Sequence, residues 1–431
     1  MSNKYVSCKA VLHRRERAIT VGVSAQRSRV ESERSLSELA GLSEAAGATV
    51  VFSVVQERES PDPITFLGRG KVMALAKYCD ETEIDLAVVD HELSPTQLKN
   101  FERVLGRKVV DRTQLILDIF AKRARTRDGK LQVELAQLRY LLPRLVGATT
   151  ALSRLGGGIG TRGPGETKLE TDRRRIRCRI GVLEREIAIV RRRRAQLLAR
   201  RRKASIPTVA LVGYTNAGKT TLFNKLASEN AQVSDTLFMT LDPLVRHVSF
   251  PDRRELRISD TVGFIDRLPH SLVAAFRATL EEVISADLLL HVIDASDCDT
   301  VRRISAVNRV LDEVGARDIR TIDVFNKCDV MTLPERNILA SRYPSAFCIS
   351  GLTGEGVGPL LVAVTTSLAL EMCHVVLKFN RRSELDRNRI ARLYRHARIF
   401  RHENFDSHVS IEADVPRRML EELKREISEE A

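Results

Sequence analysis

The sequence predicts an α/β protein in four parts: an N-terminal parallel-sheet α/β domain over residues 1–110, an antiparallel helical hairpin of coiled-coil type over 111–204, a doubly wound sheet over 205–370 and a small α+β domain over 371–431. Three observations predict it. In the first and third parts, short apolar runs alternate with amphipathic stretches, as strands joined by crossover helices do. In the second part the apolar spacing changes to alternating steps of four and three. In the third, a phosphate-loop pattern stands between a strand and a helix.

The first part reads AITVGVS, SLSELAGLSEAAG and TVVFSVVQ, then GKVMALAKYC, DLAVVD, SPTQLKNFERVLG and KVVD. Its GRGK at Gly68 to Lys71 is too short to be a phosphate loop and is read as a helix start.

From Leu117 the apolar positions are Ala121, Ala124, Leu131, Leu135, Leu138, Leu142 and Leu145. After a gap, Leu169, Ile176, Ile180, Leu183, Ile187, Val190 and Leu197 repeat the spacing. Two such segments form an arm, about 50 Å long at ~1.5 Å per residue. Asp128-Gly129 and Pro143 are expected to interrupt its first helix. The tip, residues 155–166, reads LGGGIGTRGPGE, with six glycines among twelve residues. Glycine lets backbone N–H groups approach a ligand, and arginine meets phosphate or stacks on bases. Arg154, Arg162, Gly156, Gly157, Gly158 and Gly163 are therefore the candidate RNA contacts.

The chain has 431 residues, of which 43% are hydrophobic and 29% charged, so it is neither collagen-like nor wholly disordered. No apolar run reaches the ~18 residues of a membrane span. The N-terminus lacks a signal-peptide layout, so a cytoplasmic protein is expected, with peripheral membrane association left open. Seven scattered cysteines without a C-x-x-C pair read as reduced structural thiols. The net charge of +14 is concentrated. Residues 111–203 have 25 basic and 9 acidic side chains, net +16; the rest has 45 and 47, net −2. A basic element on a near-neutral body is the footprint of a polyanion partner, although a solvated charged helix gives the same count.

In the third part, strands such as TVALVG, ELRISD, ADLLLHVID, TIDVFN and AFCIS alternate with helical patterns. GYTNAGKT, Gly213 to Thr220, fits G-x-x-x-x-G-K-[ST]. Tyr214, Thr215, Asn216, Ala217, Gly218 and Thr221 complete the cradle, Lys219 reaches the β and γ oxygens, and the Thr220 hydroxyl takes Mg²⁺. DTVG places Asp260 at the metal and the Gly263 N–H at the γ-phosphate, with Thr261 and Val262 between them. Thr240 in FMTLDP is the candidate switch threonine and third metal ligand. Lys219, Thr240 and Gly263 are thus the candidates for phosphoryl transfer. NKCD supplies Asn326, Lys327 and Asp329, whose carboxylate accepts two hydrogen bonds from guanine, a pattern adenine lacks. Ser350, Gly351 and Leu352 supply a backbone contact to the base. Phe264 follows DTVG where many such proteins place a glutamine that orients water, so a slow intrinsic rate is expected. The last part reads as strand, helix, two strands and helix.

DRTQLILDIFAKRARTRDGKLQVELAQLRYLLPRL, SRLGGGIGTRGPGETKLETDRRRIR, GYTNAGKTTLFNKL and DTVGFI together resemble the HflX family of translation-factor-related GTPases, over nearly the whole chain. The resemblance implies a Mg²⁺-dependent GTPase, converting GTP to GDP, that acts in stress. It implies binding to the large (50S) ribosomal subunit, with the hairpin tip at 23S rRNA near the peptidyl-transferase centre, and separation of stalled or idle ribosomes into subunits. A monomer is expected. The family's hydrophobic residue in place of glutamine is matched by Phe264. Leu244 and Val245 replace its usual Thr-Thr, and Gly351 its usual alanine. Two other readings stand beside this one: an RNA remodeller that also uses ATP, and a regulatory GTP switch without effect on ribosomes.

Overall fold

The structure, a computed structural model, describes residues 15–24, 29–145, 164–203, 206–227, 237–238, 244–250, 254–265 and 280–428. The chain divides into two compact units, residues 1–122 with 133–184, and 123–132 with 185–431.

In the first unit, β1 (Arg17–Ser24), β2 (Thr49–Glu57), β3 (Leu86–Val89) and β4 (Lys108–Asp111) form a parallel sheet in the order β2-β1-β3-β4. The crossovers carry α1 (Arg29–Ala46), α2 (Arg69–Glu81) and α3 (Pro95–Leu105). Gly68 is the N-cap of α2, so GRGK is a helix start as expected. Strands β3 and β4 are almost continuously apolar because both faces are covered. Acidic groups gather at their carboxyl ends. Buried Asp90 accepts from Arg112 at 2.7 Å and from Ser35 Oγ at 2.6 Å.

α4 (Arg112–Arg123) and α5 (Arg127–Arg144) follow β4, and α6 (Pro164–Lys203) is a single helix of 40 residues, ~60 Å long. The expected break in the first arm helix falls at residues 124–126, not at Asp128-Gly129. Thr126 Oγ1 accepts from the Gly129 amide at 3.0 Å, capping α5, and Asp128 lies in the first turn, where a carboxylate suits the helix dipole. A good cap has turned the weak-helix dipeptide into a helix start. Pro143 sits in the last turn of α5 and does not end it. Antiparallel pairing of α5 with α6 is written in ion pairs. Arg179 meets Glu134 at 2.7 Å in the first unit, and Arg127 meets Glu186 at 3.3 Å in the second. Leu183 and Ile187 are buried on the seam, whereas Arg174, Arg175 and Arg177 are exposed. Residues 155–163 of the tip, with five of its glycines and Arg162, lie outside the described residues, as does Arg154; Pro164, Gly165 and Glu166, expected in the loop, instead form the first turn of α6.

In the second unit a six-stranded sheet has the order β10-β9-β8-β5-β7-β6. Its strands are β5 (Thr208–Val212), β6 (Leu244–Ser249), β7 (Glu255–Asp260), β8 (Leu288–Asp294), β9 (Thr321–Asn326) and β10 (Phe347–Cys348). All neighbours are parallel except β6 with β7. Helices α7 (Lys219–Ala227), α8 (Thr300–Val314), α9 (Leu333–Arg342) and α10 (Val357–Ser367) alternate with the strands. Val209, Leu211, Leu288, Leu290 and Val292 of the central strands pack with Leu222 and Phe223 of α7 in the core. That packing holds the carboxyl ends of β5, β7 and β9 in one row, where ligands of open α/β sheets bind.

The C-terminal part is an antiparallel sheet, β11 (Met372–Asn380), β13 (His408–Pro416) and β12 (Arg398–Asn404), backed by α11 (Glu384–His396) and α12 (Arg417–Ser428). It is tied to the six-stranded sheet through Arg418, which donates to Asp287 at 2.9 Å. No described helix is long and apolar enough to cross a membrane.

Candidate nucleotide-binding site

Four loops at the carboxyl ends of β5, β7, β9 and β10 make the site. The first runs from β5 into α7. Gly213 and Gly218 have φ of +152° and +85°, and a Cβ on either would come within 2.2 Å of Val292 O or Asn326 Nδ2. Only glycine fits at both. Asn216 between them is exposed and holds φ +61°.

Lys219 opens α7 and is buried, donating to the carbonyls of Gly213 and Tyr214 at 3.1 and 2.7 Å. Burial lowers its ammonium pKa to about 8, against the opposing pull of Asp260. Thr220 Oγ1 donates to Asp260 Oδ2 at 2.8 Å, so a hydroxyl and a carboxylate converge on one point. Asp260 ends β7, and the next hydroxyl, Thr261 Oγ1, donates to Leu211 O at 2.6 Å, clamping the DTVG loop to β5.

DTVG then closes on the phosphate loop. A Cβ at Gly263 would lie 2.8 Å from Thr215 Cα and 3.1 Å from Lys219 Nζ. Phe264 makes a parallel bridge with Tyr214: its N–H donates to Gly213 O at 3.0 Å and its carbonyl accepts from the Thr215 amide at 2.8 Å. Its ring is buried. The side chain at the glutamine position thus packs inward.

At the base end, Asn326 is buried and joins two loops. It donates to Ala217 O at 2.9 Å and accepts from Gly351 N at 2.8 Å. The Gly351 amide, expected at the base, is therefore engaged with Asn326. A Cβ there would meet Asn326 Oδ1 and Leu222 N at 3.3 Å, so glycine eases a tight contact. Lys327, at φ +65°, reaches Asp294 at 2.7 Å. Asp329 is exposed on a 3-10 turn, Ser350 is buried, and Leu352 is 75% exposed beside the opening. Thr240 lies outside the described residues.

The four motifs meet as their order in the sequence requires. Sequence reasoning missed Asp294, the partner of Lys327, and Arg303, whose guanidinium stands 4.8 Å from the Tyr214 ring. Asp294 carried a readable signal, an acidic residue at the end of an apolar strand; Arg303 carried none.

This fold and these loops define a P-loop GTPase. Residues 33–121 match the family described as GTP-binding GTPase N-terminal, 123–201 the GTP-binding GTPase middle region, and 208–327 the 50S ribosome-binding GTPase. The GTPase HflX of Caldanaerobacter subterraneus subsp. tengcongensis is 49% identical over 357 residues, 83% of this chain and 82% of the relative. That of Escherichia coli (strain K12) is 44% identical over 383 residues, 88% and 89% of the two chains. The chain belongs to the HflX family of GTPases, with GTP as substrate and GDP as product. Among solved structures, a GTP-binding protein of Sulfolobus solfataricus in complex with GDP is similar at 23% identity and a TM-score of 0.43, over 81% of this chain and 98% of that one.

Proposed function

We propose that the chain is a ribosome-dependent GTPase that binds the 50S subunit and separates stalled or idle ribosomes into subunits. The observation that carries this reading is the pairing of a GTPase site with one strongly basic arm, whose long helix α6 exposes arginines to solvent. The family description matched by residues 208–327 names the 50S ribosome, and it supports the same partner.

In this reading the arm, residues 111–204, is the RNA-binding part. Arg154, Arg162 and the glycines of the tip meet 23S rRNA near the peptidyl-transferase centre. Residues 205–370 act as the switch, flanked by domains at 1–110 and 371–431, and the protein works as a monomer in the cytoplasm. Lys219 and the phosphate-loop amides hold the phosphates, and Asn326, Asp329 and the Ser350 to Leu352 loop hold guanine.

Thr220 and Asp260 fit Mg²⁺, because they bring hard oxygen donors together beside the phosphate loop, as a metal kept partly by phosphate and water needs; Thr240 would complete the set. An Mg²⁺ ion held there would supply positive charge to offset that of the phosphates. Phe264 offers no hydrogen bond to a water, so the ribosome completes the catalytic site. Nucleotide acts on the arm through its different affinity for two conformations, and hydrolysis releases the ribosome.

Sedimentation of 70S ribosomes tests the reading. The expected result is subunit separation with GTP and with a non-hydrolysable analogue. No separation with either would reject it.

A further inference from the structure

Two cysteines behind the guanine end of the site belong to no step described above. Cys328 lies inside NKCD, between Lys327 and Asp329, and Cys348 on the edge strand β10 lies two residues before Ser350. Both belong to one apolar cluster with Phe325, Met331 and Tyr343. The segments are laced together. Cys328 N donates to Ile349 O at 3.1 Å, Ile349 N donates to Phe325 O at 2.8 Å, and the Cys328 thiol reaches the same Phe325 carbonyl at 3.2 Å. Strand register sets Cys348 beside Phe325, the residue whose carbonyl the Cys328 thiol reaches, and both cysteine side chains pack in that one cluster. Cys328 is buried, whereas Cys348 is only partly so.

We propose that Cys328 and Cys348 form a reversible disulfide that weakens the hold on guanine nucleotide when the protein meets a hydroperoxide. Burial, then the neighbouring Cys348, push the Cys328 thiol up to about 12, so it stays protonated and does not react first. Cys348, reachable from the sheet edge, attacks hydrogen peroxide. The O–O bond breaks, an S–O bond forms, and the products are a sulfenic acid and water. The Cys328 sulfur then attacks the sulfenic sulfur. The S–S bond forms as the S–O bond breaks, and the hydroxide leaves with the Cys328 proton as a second water. Two thiols have lost two electrons to the peroxide.

The bond acts on the site by geometry. Bringing the two sulfurs to about 2.05 Å draws the Cys328 thiol away from Phe325 O and turns its neighbours with it. Those neighbours are Lys327, held at φ +65°, and Asp329, the guanine acceptor of the proposed function, on whose base-pocket assignment this inference rests. The linkage is reciprocal, so bound nucleotide disfavours the cross-link at equilibrium by the factor by which the cross-link weakens nucleotide binding.

The test uses the full chain with Cys8, Cys79, Cys178, Cys298 and Cys373 replaced by serine or alanine, treated with hydrogen peroxide. Peptide mapping by mass spectrometry is expected to find Cys328 joined to Cys348. Release of a fluorescent GDP analogue is expected to become about tenfold faster, to return with dithiothreitol, and to be insensitive to peroxide in Cys348→Ser. Absence of the linked peptide overturns the proposal, and so does a linked protein with unchanged release. The xanthine switch of Asp329→Asn tests the base pocket separately. A normal switch without a cross-link rejects only the disulfide, while a missing switch rejects the pocket assignment itself.

Discussion

Asn326, at the end of β9, donates its side-chain amide to the carbonyl of Ala217 in the phosphate loop, 2.9 Å away and 109 residues earlier in the chain. With its other atom it accepts from Gly351. One buried side chain therefore sets the distance between the phosphate cradle and the base loop. Asn326→Ala removes both bonds, each worth ~1 kcal/mol net, and orphans a buried carbonyl and amide. The expected outcome in titration calorimetry is GDP binding weaker by about 10- to 100-fold, with the chain still folded.

Gly218→Ala attacks the same junction from the other side. An L-residue at φ +85° costs about 1–2 kcal/mol, and the new Cβ would meet Asn326 Nδ2 at 2.2 Å. Nucleotide binding is expected to fall ~100-fold or more while far-ultraviolet circular dichroism stays that of the parent. Retained affinity would show that the loop does not need its left-handed turn.

Asp329→Asn tests base recognition. The carboxylate proposed to accept two hydrogen bonds from guanine becomes an amide with a donor face. Weaker GTP and a preference for xanthosine triphosphate are expected in competition binding, and an unchanged guanine preference would misplace the pocket.

Charge reversal at Arg154 and Arg162 tests the arm. If the tip meets rRNA phosphates, 50S binding weakens and the slope of log affinity against log salt becomes shallower by roughly one per lost contact. An unchanged slope would leave the tip as a plain connection.

His374 gives a pH signature far from the nucleotide. Its ring bonds Asp414 at 2.9 Å and Glu412 at 3.2 Å, and these carboxylates raise its pKa, Asp414 foremost. A histidine with a raised folded value contributes stability in full below its unfolded pKa, and loses it as pH rises through the folded one. The NMR titration of His374 should have its midpoint above the usual 6.5, and Asp414→Asn should lower it.

Periodicity made much of this architecture readable. The strand–helix alternation and the four-and-three spacing are local, and the nucleotide motifs are contiguous words at strand ends. What escaped was set by competition or by distance. Asp128-Gly129 reads as a helix breaker until Thr126 caps the turn before it. LVRHVS carries too few apolar residues to announce β6 as the antiparallel edge. The ties Asn326 to Ala217 and Lys327 to Asp294 join residues far apart in sequence, and no local pattern encodes them. Thr240 and residues 155–163 of the tip lie outside the described residues, and their roles come from the motifs.

The bridge between Phe264 and Tyr214 bears on attempts to engineer a faster enzyme. Because the backbone of residue 264 is already committed to Gly213 and Thr215, its side chain inherits an inward direction. Phe264→Gln would bury an amide instead of presenting it to water. Autonomous turnover is thus not one substitution away: a designer would have to redirect the chain after Gly263 before any new functional group there could reach the nucleotide.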